Sequence, residues 1–151
     1  MLMNHLLLPY KFKWVGTVLV CLGMVGLVFY IWFDFRLILP VLAVVSSFLE
    51  TKTFIILQTN VADELILLSF LAGFFFLIFS KEKTETVYLD QLRARAFSKA
   101  VVANMVLLLF SILFVYGNGF LAIILLNLFS VFIFYLIFFY FLKRKELKKG
   151  L

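Results

Sequence analysis

The sequence AVVANMVLLLFSILFVYGNGFLAIILLNLFSVFIFYLIFFYFL occupies residues 100–142 and contains no charged side chain. A single helix of that length would extend about 65 Å, more than twice the ~30 Å hydrocarbon core of a bilayer. The run must therefore reverse direction, and the Gly-Asn-Gly segment Gly117–Gly119 marks the turn, because glycine and asparagine tolerate a left-handed backbone. The stretch predicts two membrane-spanning helices, at about 100–116 and 120–142, that pair as a close antiparallel hairpin.

The composition of the whole chain points to the same lipid environment. Hydrophobic residues make up 66% of the 151 residues, against about 45–50% in a soluble globular domain. A soluble domain of this length exposes too much surface to water to hide that excess. We therefore predict an all-α polytopic membrane protein in which residues 1–151 form a single membrane domain.

Two further apolar runs predict two more spans, at about 14–33 and 63–80. The first has 20 residues without a charge, which is enough to cross the core. A cleaved signal peptide is the alternative, but its apolar region is about 7–15 residues long. The second run is short for a span. Asn60 is expected to cap its helix, and Asp63 and Glu64 suit the positive end of the helix dipole.

The path between these two spans, residues 34–62, is the hardest part of the chain to predict. Leu37 to Leu49 is apolar but covers only 13 residues, and Pro40 interrupts it. Apolar stretches this short lie at the interface more often than they cross the membrane. We expect a short outer interfacial helix between spans one and two, followed by an extended segment.

A polar segment, residues 81–99, connects the second and third spans. Tyr88, Leu92 and Ala96 recur every fourth residue with Leu89 beside them, and this spacing places them on one helical face. The segment predicts a cytoplasmic amphipathic helix that continues directly into the third span.

The distribution of basic residues predicts the orientation of the chain. Twelve of the 14 lie in three segments, with two in the N-terminal segment, five in residues 81–99 and five from Lys143 onward. Arg36 and Lys52 lie elsewhere. The positive-inside rule places the twelve in the cytoplasm. Both termini are therefore predicted on the cytoplasmic side of a bacterial inner membrane, as an even number of spans requires.

Side chains suited to catalysis or metal binding are few. His5 is the only histidine, Cys21 is the only cysteine, and the predicted spans contain no charged residue apart from Asp63 and Glu64 at the start of the second. Ionisable groups inside a span are costly and usually functional, so this pattern argues against proton-coupled transport and against membrane proteases. We predict no catalytic residue, no metal site and no cofactor. No nucleic-acid partner is expected, because no recognition motif accompanies the basic residues.

Small residues in the first two spans predict where helices pack, because they allow close approach in lipid. Gly16 and Gly23 lie on nearly one face of the first span. Ser69 and Gly73 form a small-xxx-small pair in the second span. We expect these two faces to meet.

The hairpin over 100–142 is expected to bring polar residues to matching depths. Residues at equal depth have numbers that sum to about 236, twice the number at the centre of the expected turn. Ser111 is therefore expected opposite Asn127, and Asn104 opposite Tyr135. The polar side chains of each pair would then form a hydrogen bond with each other, which avoids the free-energy cost of an unpaired polar group in hydrocarbon.

The whole chain resembles a group of small, uncharacterised bacterial integral membrane proteins with four spans. The similar features are a polar segment after the second span, a basic stretch before the third, and the turn and asparagine of the hairpin. They comprise Phe79-Ser80-Lys81-Glu82-Lys83, Leu92-Arg93, Ser98-Lys99-Ala100, Tyr116-Gly117, Phe120-Leu121 and Asn127. The resemblance implies a four-span architecture and carries no activity. Its variable part is the outer segment 37–57.

These observations favour a non-enzymatic inner-membrane protein that acts through protein or lipid contacts. The 81–99 segment and the basic tail would be its cytoplasmic contact surface. The expected partners are the lipid bilayer and a membrane or cytoplasmic protein, and a homo-oligomer is compatible with the sequence. The alternative is an oligomeric small-molecule or ion transporter or channel, in which polar groups from several copies line a path. A membrane-embedded enzyme is a third, weaker hypothesis.

Overall fold

The computed structural model describes residues 7–46, 52–83 and 87–149. Its elements, in chain order, are α1 (Lys11–Phe33), β1 (Ile38–Ser46), β2 (Lys52–Asn60), α2 (Ala62–Ile78), α3 (Val87–Phe114) and α4 (Asn118–Lys149). The chain divides into two compact units. The first unit is Trp14–Phe75, and the second unit combines Met1–Lys13 with Phe76–Leu151.

Three of the described helices, α1, α3 and α4, are long and apolar enough to cross a membrane. The candidate spanning stretches cover 23 residues of α1, 27 of α3 and 28 of α4. Helix α2 is also apolar but has 17 residues. Its length of about 26 Å is slightly less than the ~30 Å hydrocarbon core. The fold is thus mostly helical, with three candidate membrane spans in the part of the chain that the structure describes.

The expected interfacial helix at 37–49 is wrong, because residues 38–46 form strand β1 and residues 47–49 lie outside the described part. Strand β1 pairs antiparallel with β2, from Ile38 opposite Asn60 to Ser46 opposite Lys52. The prediction of an all-α fold is corrected accordingly, since the chain contains a two-stranded sheet.

The sequence of this sheet explains why a strand forms in place of a helix. β-Branched residues such as Val41 and Val44 favour the extended backbone. Pro40 disrupts a helix but is tolerated in a two-stranded sheet, where each strand has an unpaired edge. Side-chain exposure in β2 alternates, with Ile55 half-buried and Ile56 exposed. This is the period of two that a strand requires.

Helix α2 begins as the sequence predicts. The Asn60 side-chain oxygen accepts a hydrogen bond from the backbone N–H of Ala62 at 3.2 Å, and Asp63 and Glu64 lie in the first turn. The same oxygen accepts the N–H of Leu37 at 2.8 Å. Asn60 therefore caps α2 and also joins its start to the residue that precedes β1.

In the second unit, α3 and α4 form an antiparallel hairpin. Helix α3 runs without a break from Val87 to Phe114, so residues 87–99 of the amphipathic segment and the predicted third span are one helix, whereas residues 81–83 are not helical. The turn comprises residues 115–117, with Gly117 at φ +74°, a conformation that suits glycine. Asn118 already belongs to α4, so the turn is centred near residue 116 and not near 118.

The core of the second unit lies between the first half of α3 and the second half of α4. Its buried residues are Leu89, Leu92, Ala96, Ala100, Tyr135 and Phe139. The α3 members recur at helical spacing, which continues the face recognised in the sequence. Tyr88, which was expected on that face, is 42% exposed.

Candidate functional site

The glycines of the first unit lie where α1 and α2 approach each other. A Cβ added to Gly73 would lie 2.7 Å from Val20 Cγ2 and 2.9 Å from the Val20 backbone nitrogen. It would also lie 3.1 Å from the Gly16 carbonyl oxygen, and Gly16 is buried. A backbone atom cannot be displaced as a side-chain end can. The approach of the two helices at this point therefore depends on glycine.

Two further packing candidates lie on the same pair of helices. A Cβ added to Gly23 would meet the Phe70 ring at 3.2 Å. Ser69 is half-buried, and its hydroxyl donates to the Leu65 carbonyl oxygen within α2 at 2.9 Å. The structure thus places Gly16, Gly23 and Gly73 at close helix contacts, whereas the polar group of Ser69 bonds within its own helix.

A polar cluster joins α3 to α4 within their apolar stretches. Asn104 Nδ2 donates to Asn127 Oδ1 at 2.9 Å, and the Ser130 hydroxyl bonds to Asn104 Oδ1. Ser130 also contacts the Asn127 carbonyl oxygen at 2.9 Å. Asn127 is 7% exposed, and its Nδ2 has no hydrogen-bond partner among the described residues. The structure therefore pairs Asn104 with Asn127, and not with Tyr135 as expected.

The position of the turn explains this different pairing. The numbers of Asn104 and Asn127 sum to 231, close to twice the turn centre at 116. The expected partner of Asn127, Ser111, is buried and donates to the Leu107 carbonyl oxygen of its own helix at 2.8 Å. Tyr135 is buried and stacks on Phe139, with ring centroids 5.9 Å apart. Neither is part of the polar cluster.

Glu82 lies at the centre of an ionic contact between three chain segments of the second unit, here called the Glu82 clamp. Lys13 bonds to one carboxylate oxygen, and Lys143 Nζ bonds to the other at 2.8 Å. The Glu82 side chain is 10% exposed. Burial raises the pKa of this carboxyl, but the hydrogen bonds and charges of Lys13 and Lys143 together hold it below its ordinary value. The carboxylate therefore stays ionised at neutral pH.

The N-terminal segment is also hydrogen-bonded to the chain that follows α2. Leu8 N–H donates to the Phe79 carbonyl oxygen at 2.8 Å, and Lys81 N–H donates to the Leu8 carbonyl oxygen at 2.9 Å. Lys83 Nζ lies 5.6 Å from the centroid of the Tyr10 ring, within the range of a cation–π contact. These contacts join residues about 70 positions apart, so no local sequence pattern signals them.

Arg93 is the most deeply buried charged residue of the described chain, with 2% exposure. Its guanidinium donates to Asp90 Oδ1 at 3.2 Å and lies 5.8 Å from the centroid of the Phe139 ring. The charge pattern of the sequence predicts Arg93 on the cytoplasmic side and does not predict its burial. Its spacing of four residues from Leu89 was the available signal, since it places Arg93 on the buried face.

Arg93 also lines a cavity of about 430 Å³ in the second unit. The walls come from the end of α2 and the segment after it, from α3 and from α4. They consist of Ile78, Phe79, Arg93, Ala94, Phe97, Ser98, Val131, Phe132 and Tyr135. Most of this lining is apolar, and Arg93 is its one charged member.

The three candidate spans place this chain in the class of helical membrane proteins. In the described residues, no group of three or more His, Cys, Asp or Glu side chains is arranged to hold a metal ion. Comparison with protein-family models, with curated proteins and with solved structures found no match. The resemblance to small four-span bacterial proteins therefore stays a prediction.

Proposed function

We propose that this chain is a four-span protein of a bacterial inner membrane that has no enzymatic activity and acts through lipid or protein contacts at its basic end. The observation that carries the proposal is the Glu82 clamp. It joins the start of α1, the segment after α2 and the final part of α4. These are the three segments in which the basic residues concentrate, so their contact supports a common cytoplasmic side.

The proposal requires α2 to be the fourth span. A helix of 17 residues is a few ångströms short of the hydrocarbon core, and such a mismatch costs only fractions of a kcal/mol per Å. Lys81 lies just beyond its end and can extend its ammonium group to the headgroups. Because Lys13 contacts Glu82, the start of α1 and the end of α2 lie on the same side, as two spans require.

Cysteine labelling tests this topology. Single cysteines replace the exposed residues Arg36, Lys83 and Tyr116 in a Cys21→Ser background, and an impermeant thiol reagent is applied to spheroplasts. Four spans predict labelling of positions 36 and 116 from outside, and labelling of position 83 only after lysis. Labelling of 36 and 83 from the same side would show that α2 does not cross the membrane.

A tail variant tests the contact function. Arg144, Lys145, Lys148 and Lys149 are replaced by Gln, whereas Lys143 is kept because it bonds to Glu82. Each basic residue near an anionic surface contributes about 1 kcal/mol. The variant in detergent should therefore lose most of the thermal stabilisation that added phosphatidylglycerol gives to the native chain. Equal stabilisation of both proteins would contradict a role for the tail in lipid binding.

The second candidate is an oligomeric transporter or channel, and the polar cluster is the observation that favours it. Asn127 Nδ2 is a buried donor without a described partner, as expected of a group that meets a polar solute or a second copy. Light scattering of the purified protein with detergent subtracted tests this second candidate. A monomer would contradict this candidate, because a few helices cannot enclose a pore.

A further inference from the structure

We propose that strand β2 pairs edge to edge with β2 of a second copy of this chain, so that the two hairpins form one four-stranded antiparallel sheet. The inference goes beyond the proposed function, because it concerns the first unit and not the basic end of the second. Three features of the β1–β2 sheet support it. They are the direction of its backbone groups, the difference between its two edges and the symmetry of antiparallel pairing.

A hydrogen bond beside α2 shows which backbone groups of the sheet face outward. Val61 N–H donates to the Leu37 carbonyl oxygen at 2.9 Å, and the strands continue in the same register from Ile38 opposite Asn60. Backbone groups along an antiparallel strand point alternately toward the partner strand and away from it. The odd-numbered residues therefore bond across the sheet. The even-numbered residues of both strands point their backbone N–H and carbonyl groups outward.

The outward edges of the two strands are not equivalent. Pro40 has no N–H, and its even number places the missing donor on the outer edge of β1. Proline at an edge is one of the features by which proteins prevent pairing with a further strand. The edge of β2 from Ile55 to Asn60 contains no proline and no charged residue. Edge pairing is therefore blocked at β1 and open at β2.

The open edge of β2 favours a further strand. The sheet has only two strands in the part of the chain that the structure describes, so the outward N–H groups of Ile56 and Gln58 have no partner strand there. The side chains on this face are apolar and exposed, as Leu42 and Ile56 show. Unpaired backbone groups beside apolar surface are costly. A two-stranded sheet is also marginally stable, and additional strands stabilise it.

A second copy of the chain fits this edge because antiparallel pairing of a strand with its own copy is self-complementary about a two-fold axis. Phe54 has φ +53°, so the extended part of the edge lies between Phe54 and the last strand residue, Asn60. Leu57 is at its centre. An axis at Leu57 places Ile56 opposite Gln58 of the second copy, and these two residues exchange both backbone hydrogen bonds. Copies of one chain insert in the same orientation, which brings the same edge to the same level of the membrane.

Disulfide cross-linking in native membranes tests the pairing. Leu57→Cys in a Cys21→Ser background should form a disulfide-linked dimer under mild oxidation, because directly opposed residues at the axis lie about 4.5 Å apart between Cα atoms. Val41→Cys is the matched control. Val41 lies opposite Leu57 within the hairpin, and both side chains are half-buried. In the four-stranded sheet the two copies of residue 41 are about 14 Å apart, so this variant should not cross-link.

Single cysteines at positions 55, 56 and 58 complete the test by detecting a shifted register. Dimers that link most strongly at one position between 55 and 58, and do not link at 41, support pairing through β2.

Proline substitution tests the backbone hydrogen bonds of the interface. Ile56→Pro removes an outward N–H and leaves the bonds between β1 and β2 in place. Leu42→Pro is the matched control, because Leu42 lies directly opposite Ile56 and its N–H points outward from β1. Sedimentation in detergent should show that Ile56→Pro raises the dissociation constant of the dimer about tenfold or more, since both copies lose a hydrogen bond. Leu42→Pro should leave that constant unchanged.

Three results would overturn the inference. Absence of a linked dimer at every position from 55 to 58 would exclude pairing through β2, and this result does not depend on the folding of the proline variants. Linkage at position 41 as strong as at 57 would show that the copies meet through another edge or face of the sheet. A dimer of the Ile56→Pro variant as stable as that of the native chain would exclude backbone pairing. None of these results bears on the contact function of the basic end, which the tail variant tests separately.

Discussion

Gly73 shows how one residue controls the distance between two helices. Its missing side chain allows α2 to approach the backbone of α1 at Val20 and Gly16. In lipid, where helices gain little from hydrophobic burial, such van der Waals packing is a main source of association. At the same scale, Glu82 and Arg93 show that a buried charge is kept where a partner of opposite charge is within bonding distance.

At this scale we predict that Gly73→Ala lowers stability, although alanine is the better helix former. The added Cβ would clash with Val20 side-chain and backbone atoms, and overpacking of this kind costs about 1–3 kcal/mol. Gly119→Ala is the control, because an added Cβ there meets only Val115 Cγ1 at 3.8 Å. Thermal unfolding in detergent should show a lower midpoint for the first variant and an unchanged or higher midpoint for the second. Equal midpoints would show that α1 and α2 do not pack at Gly73.

At the scale of elements, the β1–β2 sheet is the main departure from the sequence-based expectation. A span is recognised from its own length and hydropathy, whereas each strand here needs partners 6 to 22 residues away in the chain to satisfy its backbone groups. Length therefore argued against a span over residues 37–49, but it did not show that residues 38–46 pair with residues 52–60. The α3–α4 register likewise depends on residues distant in the chain. The turn is centred near residue 116 and not 118, and this shift changes which α3 residue lies at the depth of each α4 residue.

The strand register predicts a specific disulfide. Leu42 lies opposite Ile56, and both side chains are exposed. Cysteines at these two positions in a Cys21→Ser background should cross-link under mild oxidation, because directly opposed residues meet the distance that a disulfide requires. Cysteines at 42 and 54 are the control, since diagonal neighbours lie about 7–8 Å apart. After the chain is cleaved between the two cysteines, a non-reducing gel shows whether the two fragments stay linked by a disulfide. Absence of the 42–56 disulfide would argue against this sheet.

At the scale of the whole molecule, charge distribution is the dominant feature. Twelve of 14 basic residues lie in three segments that are far apart in sequence, and Glu82 connects these segments through Lys13 and Lys143. The positive charges of the basic side chains around Glu82 favour the ionised form of its carboxyl. The clamp therefore turns a net repulsion between basic segments into a contact that holds them together.

The clamp predicts a loss of stability in acid. The pKa of the Glu82 carboxyl is lower in the folded chain than its ordinary value of 4.5, so its contribution is complete above pH 4.5 and is lost as the pH falls through the folded pKa. Thermal unfolding midpoints measured in detergent from pH 7 to pH 3 should therefore decrease once the pH is below 4.5. Glu82→Gln should be less stable than the native chain at pH 7 and should show a smaller acid loss. Glu64→Gln, at an exposed position in the first turn of α2, is the control and should keep the native profile.

The sequence by itself determined that the chain is built from long apolar helices, that Asn60 caps α2 and that a glycine turn divides the run from 100 to 142. These features depend on local length, hydropathy and backbone freedom, which each segment carries in its own residues. The tertiary structure alone decided the pairing of β1 with β2, the Asn104–Asn127 bond, the Glu82 clamp and the burial of Arg93. Each of these depends on which distant residue lies within a few ångströms, and a shift of one or two residues in a turn or strand changes that partner.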